Sequence, residues 1–401
     1  MISVKNAPRY LYLITALKNT LFILPVVMMY YGYKGVGQGD FYLIQGLSYL
    51  MVFVLEIPTG YIGDVFSRKN TLIFATIAWI IGYACWLFGV GFWWILAGEL
   101  TFALAISLAS GTIDAYLYDL LKKRNKEHQF HKKMAKKETY GNIGLLLATL
   151  SGALVYNYIG ADETVELSII MLAVALGILF IMPDVPESKR KVAKDKSKFQ
   201  DIMEISKSAV KNKAIKWLML FSAVYGSLTL ILMWGLQSVM IERDIPVVLF
   251  GIVVGINAFC RTVWSGVAGK ALEKYGLNKI IVFLIIIVTI ASSGAASAVW
   301  VPHFVVYVCL ALMILGSGSI QLVRVVVSTL INHRIQSDER ATVISVKSMA
   351  DRSLAGLCMI LLKPLFDKVG VGETYLIALI LLIPIVLSAY QLSRLKLEMK
   401  K

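Results

Sequence analysis

The chain has 401 residues, of which 58% are hydrophobic and only 16% are charged. This composition is too apolar for a soluble protein of this size and indicates a polytopic membrane protein. The net charge of +15 does not call for a nucleic-acid partner, because most of the 40 Lys and Arg residues fall in alternate loops that would share one side of a membrane. That distribution is the positive-inside pattern, and it predicts that both termini lie in the cytoplasm.

Twelve apolar segments are long enough to cross a hydrocarbon core of roughly 30 Å. Each is predicted to be a helix, because a backbone embedded in lipid has to satisfy its own hydrogen bonds. The segments cover residues 9–31, 40–64, 71–90, 92–120, 137–158, 165–183, 215–240, 247–269, 279–299, 303–331, 341–365 and 373–393. The amino-terminal residues MISVKNAPRY lead into the first segment without a small-residue cleavage site, so we interpret them as the start of helix 1.

One long polar connection divides the segments six and six. The predicted domains are therefore an amino-terminal bundle at 1–183, a cytoplasmic linker at 184–213 and a carboxy-terminal bundle at 214–401. Within the linker, Phe199, Ile202, Ile205 and Ala209 recur at helical spacing. They predict a short amphipathic helix on the membrane surface, although a solvated linker explains the same residues equally well.

The stretch LEIPTGYIGDVFSRKNTL at 55–72 joins the second and third segments. Its glycines and acid are matched at a constant offset in the eighth segment by Gly266, Gly269 and Lys270, as expected of transporters built from two repeats. The residues of the stretch that carry a resemblance to a known family are Gly60, Gly63, Asp64, Arg68, Lys69 and Leu72.

These residues resemble the signature between helices 2 and 3 of the major facilitator superfamily, and the six-plus-six layout extends the resemblance to the whole chain. The chain departs from the family pattern at Val65 and Ser67, where a basic residue and a glycine are common. The resemblance implies an all-α membrane protein with twelve transmembrane helices in two pseudo-symmetric six-helix bundles. It also implies a secondary active transporter that moves a small molecule by alternating access.

The residues of the signature have physical roles of their own. The two glycines let helix 2 approach a neighbour closely, and Asp64 can meet the positive amino terminus of a facing helix. The resemblance makes that helix number 11, which begins near Arg340. Arg68 and Lys69 would hold Asp64 in place, so that the two halves close on the cytoplasmic side; the alternative is that both cations only follow the positive-inside pattern.

Three further stretches favour a direction of transport. LEIPTGYIGD, SGTIDAYLYDLLKK and ERATVISVKSM are similar to a bacterial branch of the superfamily that includes many drug and metabolite exporters. The fifth segment reads YGNIGLLLATLSGALVY and has no glycine-proline antiporter signature. Proton-coupled export of an amphipathic drug or metabolite is the favoured function, and uptake or exchange of a small organic anion bound by Arg261 and Arg324 is the alternative.

Charged residues within apolar segments are functional candidates, because a charge in hydrocarbon is costly unless it is paired or wetted. They are Lys18, Glu56, Glu99, Asp114, Arg261, Arg324, Lys347, Asp351 and Arg352. Asp114 is the predicted proton carrier, since a desolvated carboxylate can exchange protons near neutral pH; the alternative is a static ion pair with Lys18 or Arg324. Glu56 is predicted to pair with Lys347 or Arg352 across the two halves, and Asp351 and Lys18 are further candidates for charge coupling.

By the same resemblance, polar residues of helices 1, 2, 4, 5, 7, 8, 10 and 11 would line a central cavity. The candidates are Asn19, Gln45, Asn142, Tyr225, Trp234, Gln237, Asn257 and Gln321. A large pocket with a few polar groups suits an amphipathic ligand. For each residue taken alone, packing or an interhelical hydrogen bond is the favoured interpretation.

Cofactor and metal chemistry find no support in the sequence. The four cysteines lie in apolar segments without ligand spacing, and His128 and His131 have lysines instead of acids around them. No Walker-type glycine loop and no nucleophile-base pair is recognisable, so we predict neither an enzyme nor a cofactor. A receptor or enzyme on a transporter scaffold is a remote alternative. The predicted partners are the substrate, protons and lipid, with a monomer in a bacterial cytoplasmic membrane.

Overall fold

The computed structural model describes residues 2–65, 67–185, 211–335 and 340–395; at 57, 60–65, 340 and 341 it describes the backbone. Throughout these ranges the regular structure is helical, as predicted. The proposed amphipathic helix around Phe199, Ile202, Ile205 and Ala209 lies outside them. The chain divides into two compact units: Met1–Val192 with Pro246–Ile252, and Ala193–Ile245 with Val253–Lys401. We call them the amino-terminal and the carboxy-terminal unit.

The helices of the amino-terminal unit follow the first six predicted segments. They are α1 (Ala7–Lys18), α2 (Val27–Tyr33), α3 (Gln38–Val65), α4 (Arg68–Phe88), α5 (Phe92–Ala109), α6 (Thr112–Lys122), α7 (Phe130–Tyr158) and α8 (Ala161–Ile181). Short 3-10 helices precede α2 (Leu24–Val26) and α7 (Glu127–Gln129).

The carboxy-terminal unit contains the helices that follow the last six segments, except the first residues of α10, which fall in Pro246–Ile252 of the amino-terminal unit. They are α9 (Lys213–Glu242), α10 (Val247–Ser297), α11 (His303–Gly318), α12 (Ile320–Asn332), α13 (Arg340–Val369), α14 (Val371–Ala378) and α15 (Leu382–Arg394), with a 3-10 turn at Leu379–Leu381. Asn212 begins α9, because its side-chain oxygen accepts hydrogen bonds from the backbone N–H groups of Ala214 and Ile215. α9 then packs against α11, α12, α13 and α15.

Eight of the helical stretches are long and apolar enough to cross a membrane, counted over the described part of the chain. They include Arg68–Phe88, Phe92–Lys122, Ala161–Ile181 and Lys213–Glu242. The apolar segments therefore form helices that are long enough to span a membrane, as the sequence predicts. The predicted fold class, an all-helical membrane protein, is confirmed.

Several spans are interrupted where the sequence predicts a continuous helix. The first segment breaks between Lys18 and Leu24, the fourth at Ser110 and Gly111, and the tenth at Ser319. At Gly111 the backbone has φ +71°, which an L side chain rarely adopts and glycine adopts freely. Apolar composition does not reveal such breaks, because a short interruption leaves the hydropathy of the segment unchanged.

Two predicted boundaries need correction. The eighth helix does not end after Gly269 and continues to Gly276, where φ of +73° marks the turn into the ninth. Gly266 and Gly269 consequently lie inside a helix, and a Cβ on either would meet nothing within 4 Å. The fifth helix begins at Phe130, two turns before the predicted start, so the basic stretch around Lys137 is helical.

Helix α7 packs very closely against α1 and the break that follows it. A Cβ added at Gly144 would lie 2.3 Å from the carbonyl oxygen of Ala16, and one at Gly152 would lie 1.9 Å from that of Phe22. Gly141, Gly144 and Gly152 share this face with the fully buried Ala148. Small residues thus bring the two backbones together, and they determine how the polar groups of α1 face those of α7.

Candidate functional site

Two cations of the signature stretch, Arg68 and Lys69, contact other helices of the amino-terminal unit. Ser67 begins α4 as an N-cap residue, and its hydroxyl accepts a hydrogen bond from the backbone N–H of Asn70. Arg68 Nε lies 2.6 Å from a carboxylate oxygen of Asp119, which is 2% exposed at the end of α6. Lys69 Nζ donates to the carbonyl oxygens of Phe180 and Met182 at 2.9 and 2.8 Å, where α8 ends.

Both cations therefore have partners that the sequence did not indicate. Arg68 neutralises a buried acid of α6, and Lys69 binds carbonyls that a helix end leaves without intrahelical donors. The predicted contact of Arg68 and Lys69 with Asp64 stays a prediction, because the structure describes only the backbone at Asp64 and at Arg340, as it does at Gly60 and Gly63.

A charged cluster forms where α1, α6 and α7 meet. Asp114, in the first turn of α6, makes an ion pair with Lys137 of α7, and Lys137 Nζ also lies 2.9 Å from Glu138. The side chain of Lys137 is only 4% exposed, while that of Asp114 is 36% exposed. Lys18 Nζ, at the end of α1, lies 3.8 Å from the ring centroid of Trp79 in a cation–π contact.

The alternative that the sequence left open for Asp114 was a static ion pair with Lys18 or Arg324, and within the described part of the amino-terminal unit its ion-pair partner is a different residue. The partner is Lys137, which the sequence pattern placed at the edge of a basic loop. Because α7 begins two turns earlier than predicted, Lys137 lies on the helix and faces α6. The break at Gly111 adds a second feature, since it places Asp114 at the positive amino terminus of α6.

Next to this cluster, Asn19 ends α1 and faces α7. A Cβ at Gly141 would lie 2.6 Å from its amide nitrogen, so only a glycine leaves room for the Asn19 side chain. Asn142, one residue further along α7, is exposed. Of these two predicted cavity residues, Asn19 therefore packs against α7, whereas Asn142 lies exposed on that helix.

In the carboxy-terminal unit, Lys347 and Asp351 form an ion pair one turn apart on α13, at 2.7 Å. Ser222 of α9 donates to the same Asp351 oxygen at 3.3 Å. Lys347 is buried, and Arg352 and Glu56 are partly buried. The predicted pairing of Glu56 with Lys347 or Arg352 would join the two units, and it stays a prediction.

Most other predicted cavity residues of this unit are tightly packed within it. Tyr225, Trp234, Gln237 and Asn257 are each no more than 8% exposed. Tyr225 shares a 2.6 Å hydrogen bond with Ser319 at the break between α11 and α12, and Asn257 donates to Ser317 at 2.6 Å. These bonds support the helix break and the packing of α10, the alternative that the sequence left open.

The remaining candidates of this unit are less buried. Gln321 in the first turn of α12 and Arg261 on α10 are partly buried, and Arg261 Nη1 lies 3.4 Å from the sulfur of Met233. Arg324 is exposed on α12, and no acid in the described ranges lies within 4 Å of it. A basic group without a close acid is suited to binding an anion.

The opposite end of the amino-terminal unit carries a second polar cluster that the sequence did not predict. Lys34 Nζ lies 2.8 Å from Asp162 and donates to the carbonyl of Leu87, and Tyr30 donates to Asp162 at 2.9 Å. Deeper in the unit, Glu99 accepts hydrogen bonds from Tyr31 and from Gln45, a predicted cavity residue. The sequence marks Glu99 as a charged residue in an apolar segment and indicates no partner for it.

Known proteins share the sequence pattern and the fold of this chain. The model of the Major Facilitator Superfamily matches residues 10–356. A point mutant of nucleoside transporter NupG superposes with a TM-score of 0.83 at 15% identity, covering 98% of this chain and all of that one. A POT family transporter in complex with a thioalcohol-conjugated peptide has a TM-score of 0.72 at 12% identity, covering 98% of this chain and 97% of that one. A D-xylose-proton symporter has a TM-score of 0.68 at 13% identity, covering 97% and 95%.

No curated protein sequence matches the chain. At such identities the structural matches show the fold alone, whereas the family model covers most of the sequence. Together with the apolar helices, these findings describe an integral membrane transporter of small molecules. The chain belongs to the Major Facilitator Superfamily.

Proposed function

We propose that this protein is a proton-coupled exporter of an amphipathic drug or metabolite that works by alternating access. The observation that carries the coupling is the ion pair between Asp114 and Lys137. An ionisable pair inside a membrane span is costly and marks a functional site by default. Its two members differ in access, because Asp114 is partly exposed and Lys137 is buried.

This difference in access supports a sequence of events. Water or substrate can reach Asp114, so a proton can bind to its carboxylate. Protonation removes one counter-charge of Lys137, and among the described residues the exposed Glu138 at 2.9 Å is the acid that remains within ion-pair distance. A buried ammonium that loses its partner is strongly destabilised, and this cost favours a rearrangement of α6 and α7. Lys18, held on the ring of Trp79, is a further basic group on the side of α1.

Other observations support the proposed direction of transport and the proposed substrate class. Export is favoured by the likeness of the stretches at 55–64, 110–123 and 339–349 to a bacterial exporter branch. The similar structures are those of a nucleoside transporter, a peptide-bound transporter and a D-xylose-proton symporter. Polar metabolites of those classes therefore belong in a substrate panel beside amphipathic drugs.

Flux measurements on the purified chain in proteoliposomes test the coupling. With an imposed pH gradient, the wild type accumulates a panel substrate, and Asp114→Asn retains counterflow but loses the proton-driven accumulation. Glu138→Gln is the matched control, because it removes an acid from the same Lys137 nitrogen without touching Asp114. Proton-driven accumulation by Asp114→Asn at the wild-type rate would refute the assignment.

A second candidate function is uptake or exchange of a small organic anion. It is favoured by Arg324, which is exposed on α12 without a described acid within 4 Å. Under this interpretation, Arg261→Gln and Arg324→Gln reduce the flux of anionic members of the panel and leave neutral members unchanged. Counterflow of no solute over a broad panel would instead revive a receptor or enzyme on the transporter scaffold.

The orientation in the membrane follows the charges. The end of the amino-terminal unit that holds Arg68, Lys69 and Arg124 also holds the amino terminus, since Arg124 donates to the carbonyl of Lys5. We propose that this basic end faces the cytoplasm of a bacterial cell and that the monomer is the transporting species. Labelling of single cysteines at positions 5 and 90 from outside intact cells tests the first point, and only position 90 should react.

A further inference from the structure

The carboxyl group of Glu99 lies deep inside the amino-terminal unit. Glu99 is 7% exposed and sits seven residues into α5, or about 10 Å from the start of that helix. Tyr31, which donates a hydrogen bond to Glu99, packs edge-on against Trp86 with ring centroids 5.2 Å apart, and Trp86 packs on Phe102 at 5.0 Å, so an aromatic cluster adjoins the site. An acid at this depth has to be paired, hydrogen-bonded or protonated.

The hydrogen bonds of this carboxyl group come from neutral donors. Tyr31 Oη and Gln45 Nε2 each donate to the same oxygen, Oε1, at 2.6 Å. Gln45 Nε2 also lies 3.3 Å from Tyr31 Oη, and Ser48 Oγ donates to the backbone carbonyl of Glu99. Both donors reach the same oxygen, so a proton on Oε2 would compete with neither hydrogen bond. Because an oxygen of an ionised carboxylate can also accept two donors, the protonation state depends on the charges around the group.

The groups that face Glu99 from its neighbours carry no positive charge. The titratable groups are the buried phenols of Tyr31 on α2 and Tyr83 on α4, while α3 presents Gln45 and Ser48. Over the described ranges, no Lys, Arg or His nitrogen lies within 4.0 Å of the carboxyl group. Lys34, the cation at this end, is instead bound to Asp162.

Glu99 differs in this respect from three other acids of the unit. Asp114, Asp119 and Asp162 each have a cation within ion-pair distance. Charge on those acids is compensated, and charge on Glu99 would not be. Two neutral hydrogen bonds only partly replace the hydration that an ionised carboxylate loses on burial.

We propose that Glu99 is a second proton-binding site, which holds its proton on Oε2 while Tyr31 and Gln45 are in the arrangement seen here. Release of the proton leaves a charge that needs water, so it requires α2 and α3 to open away from α5. α2 is a short helix separated from α1 by the break at 19–23, and Tyr31 is its link to Glu99. Use of this site in coupling rests on the proposed function, whereas proton binding does not.

Infrared spectroscopy of the purified chain at neutral pH tests the proton directly. A protonated carboxylic acid has a C=O stretching band that an ionised carboxylate lacks, and deuterium exchange shifts it. We expect this band in the wild type and its loss in Glu99→Gln. Glu166→Gln on α8 is the matched control, because Glu166 is exposed and its removal leaves the band intact. A band of unchanged intensity in Glu99→Gln would overturn the proposal.

A second variant covers the case in which Glu99→Gln does not fold. Tyr31→Phe removes one of the two hydrogen bonds to Oε1 and leaves the carboxyl group in place. The band should persist and move to higher frequency, since the C=O bond loses a donor; a band that does not move would show that it belongs to another acid. Transport is measured separately. If the wild type moves no panel solute, the proposed function fails, and the infrared band still decides the protonation of Glu99.

Discussion

The close packing of α7 against the chain after α1 permits a quantitative prediction for Gly152→Ala. The added Cβ would lie 1.9 Å from the carbonyl oxygen of Phe22 and 2.8 Å from its carbonyl carbon. A normal carbon–oxygen contact is about 3.3 Å or longer, so the two backbones would have to separate by about 1.4 Å. A side chain could rotate away, but the neighbour here is backbone.

The expected cost follows from two opposing terms. Overpacking of this kind destabilises by about 1–3 kcal/mol, and the upper end applies because the contact is with backbone. In the opposite direction, alanine stabilises the interior of a helix by about 1 kcal/mol relative to glycine. The net loss is therefore about 2 kcal/mol, which lowers the midpoint of thermal unfolding by about 4–8 °C for a unit of this size.

Thermal unfolding of the purified protein in one detergent measures the effect. Gly177→Ala on α8 is the matched control, since a Cβ there meets nothing within 4 Å and should leave Tm unchanged or slightly higher. Displacement of the chain around Phe22 should also move Lys18, at the end of α1, away from the charged cluster on α7. Proton-driven flux in Gly152→Ala should therefore fall together with the thermal stability. A Tm for Gly152→Ala equal to that of the control would refute the reasoning.

Three further predictions concern charged groups. Lys69→Met removes two hydrogen bonds from the end of α8 and should destabilise by about 1 kcal/mol in thermal unfolding, whereas Lys69→Arg should retain most of the stability. Asp351→Asn leaves the buried Lys347 without its carboxylate and should cost about 3 kcal/mol, the lower end for a buried pair, because Asp351 is 23% exposed. Exchanging the two residues should restore part of this loss, and no recovery would argue against the pair. Glu56→Arg should slow transport, and the double variant with Arg352→Glu should recover it if the two residues pair; a double variant no faster than the single one rules out that pairing.

The helical spans were predictable because they depend on composition. Lipid offers no hydrogen-bond partner, so a long apolar run such as α8 has to become a helix whatever surrounds it. The breaks were not predictable in this way. Gly111 has a conformation that glycine tolerates, but many glycines in the chain lie in regular helix, and only packing decides which of them turns.

The candidate charges were predictable as a set, and their partners were not. Each charged residue in an apolar segment stands out in the sequence, including Asp114 and Glu99. Its partner depends on which helix faces it and at what height. Lys137 follows a run of lysines, so its sequence context does not distinguish it from them. Gln45 lies in an apolar helix, where an amide is equally suited to line a cavity or to bind a buried acid.

The sequence by itself determined that the chain lies in a membrane, that its spans are helices and which superfamily signature it carries. These properties follow from transfer free energies and from local spacing, which act on each segment independently. Only the tertiary structure decided that Asp114 has a counter-ion and that Glu99 has none among the described residues. That distinction depends on distances of a few ångström between helices far apart in sequence, and in a low-dielectric interior those distances decide whether a carboxyl group carries a charge or a proton.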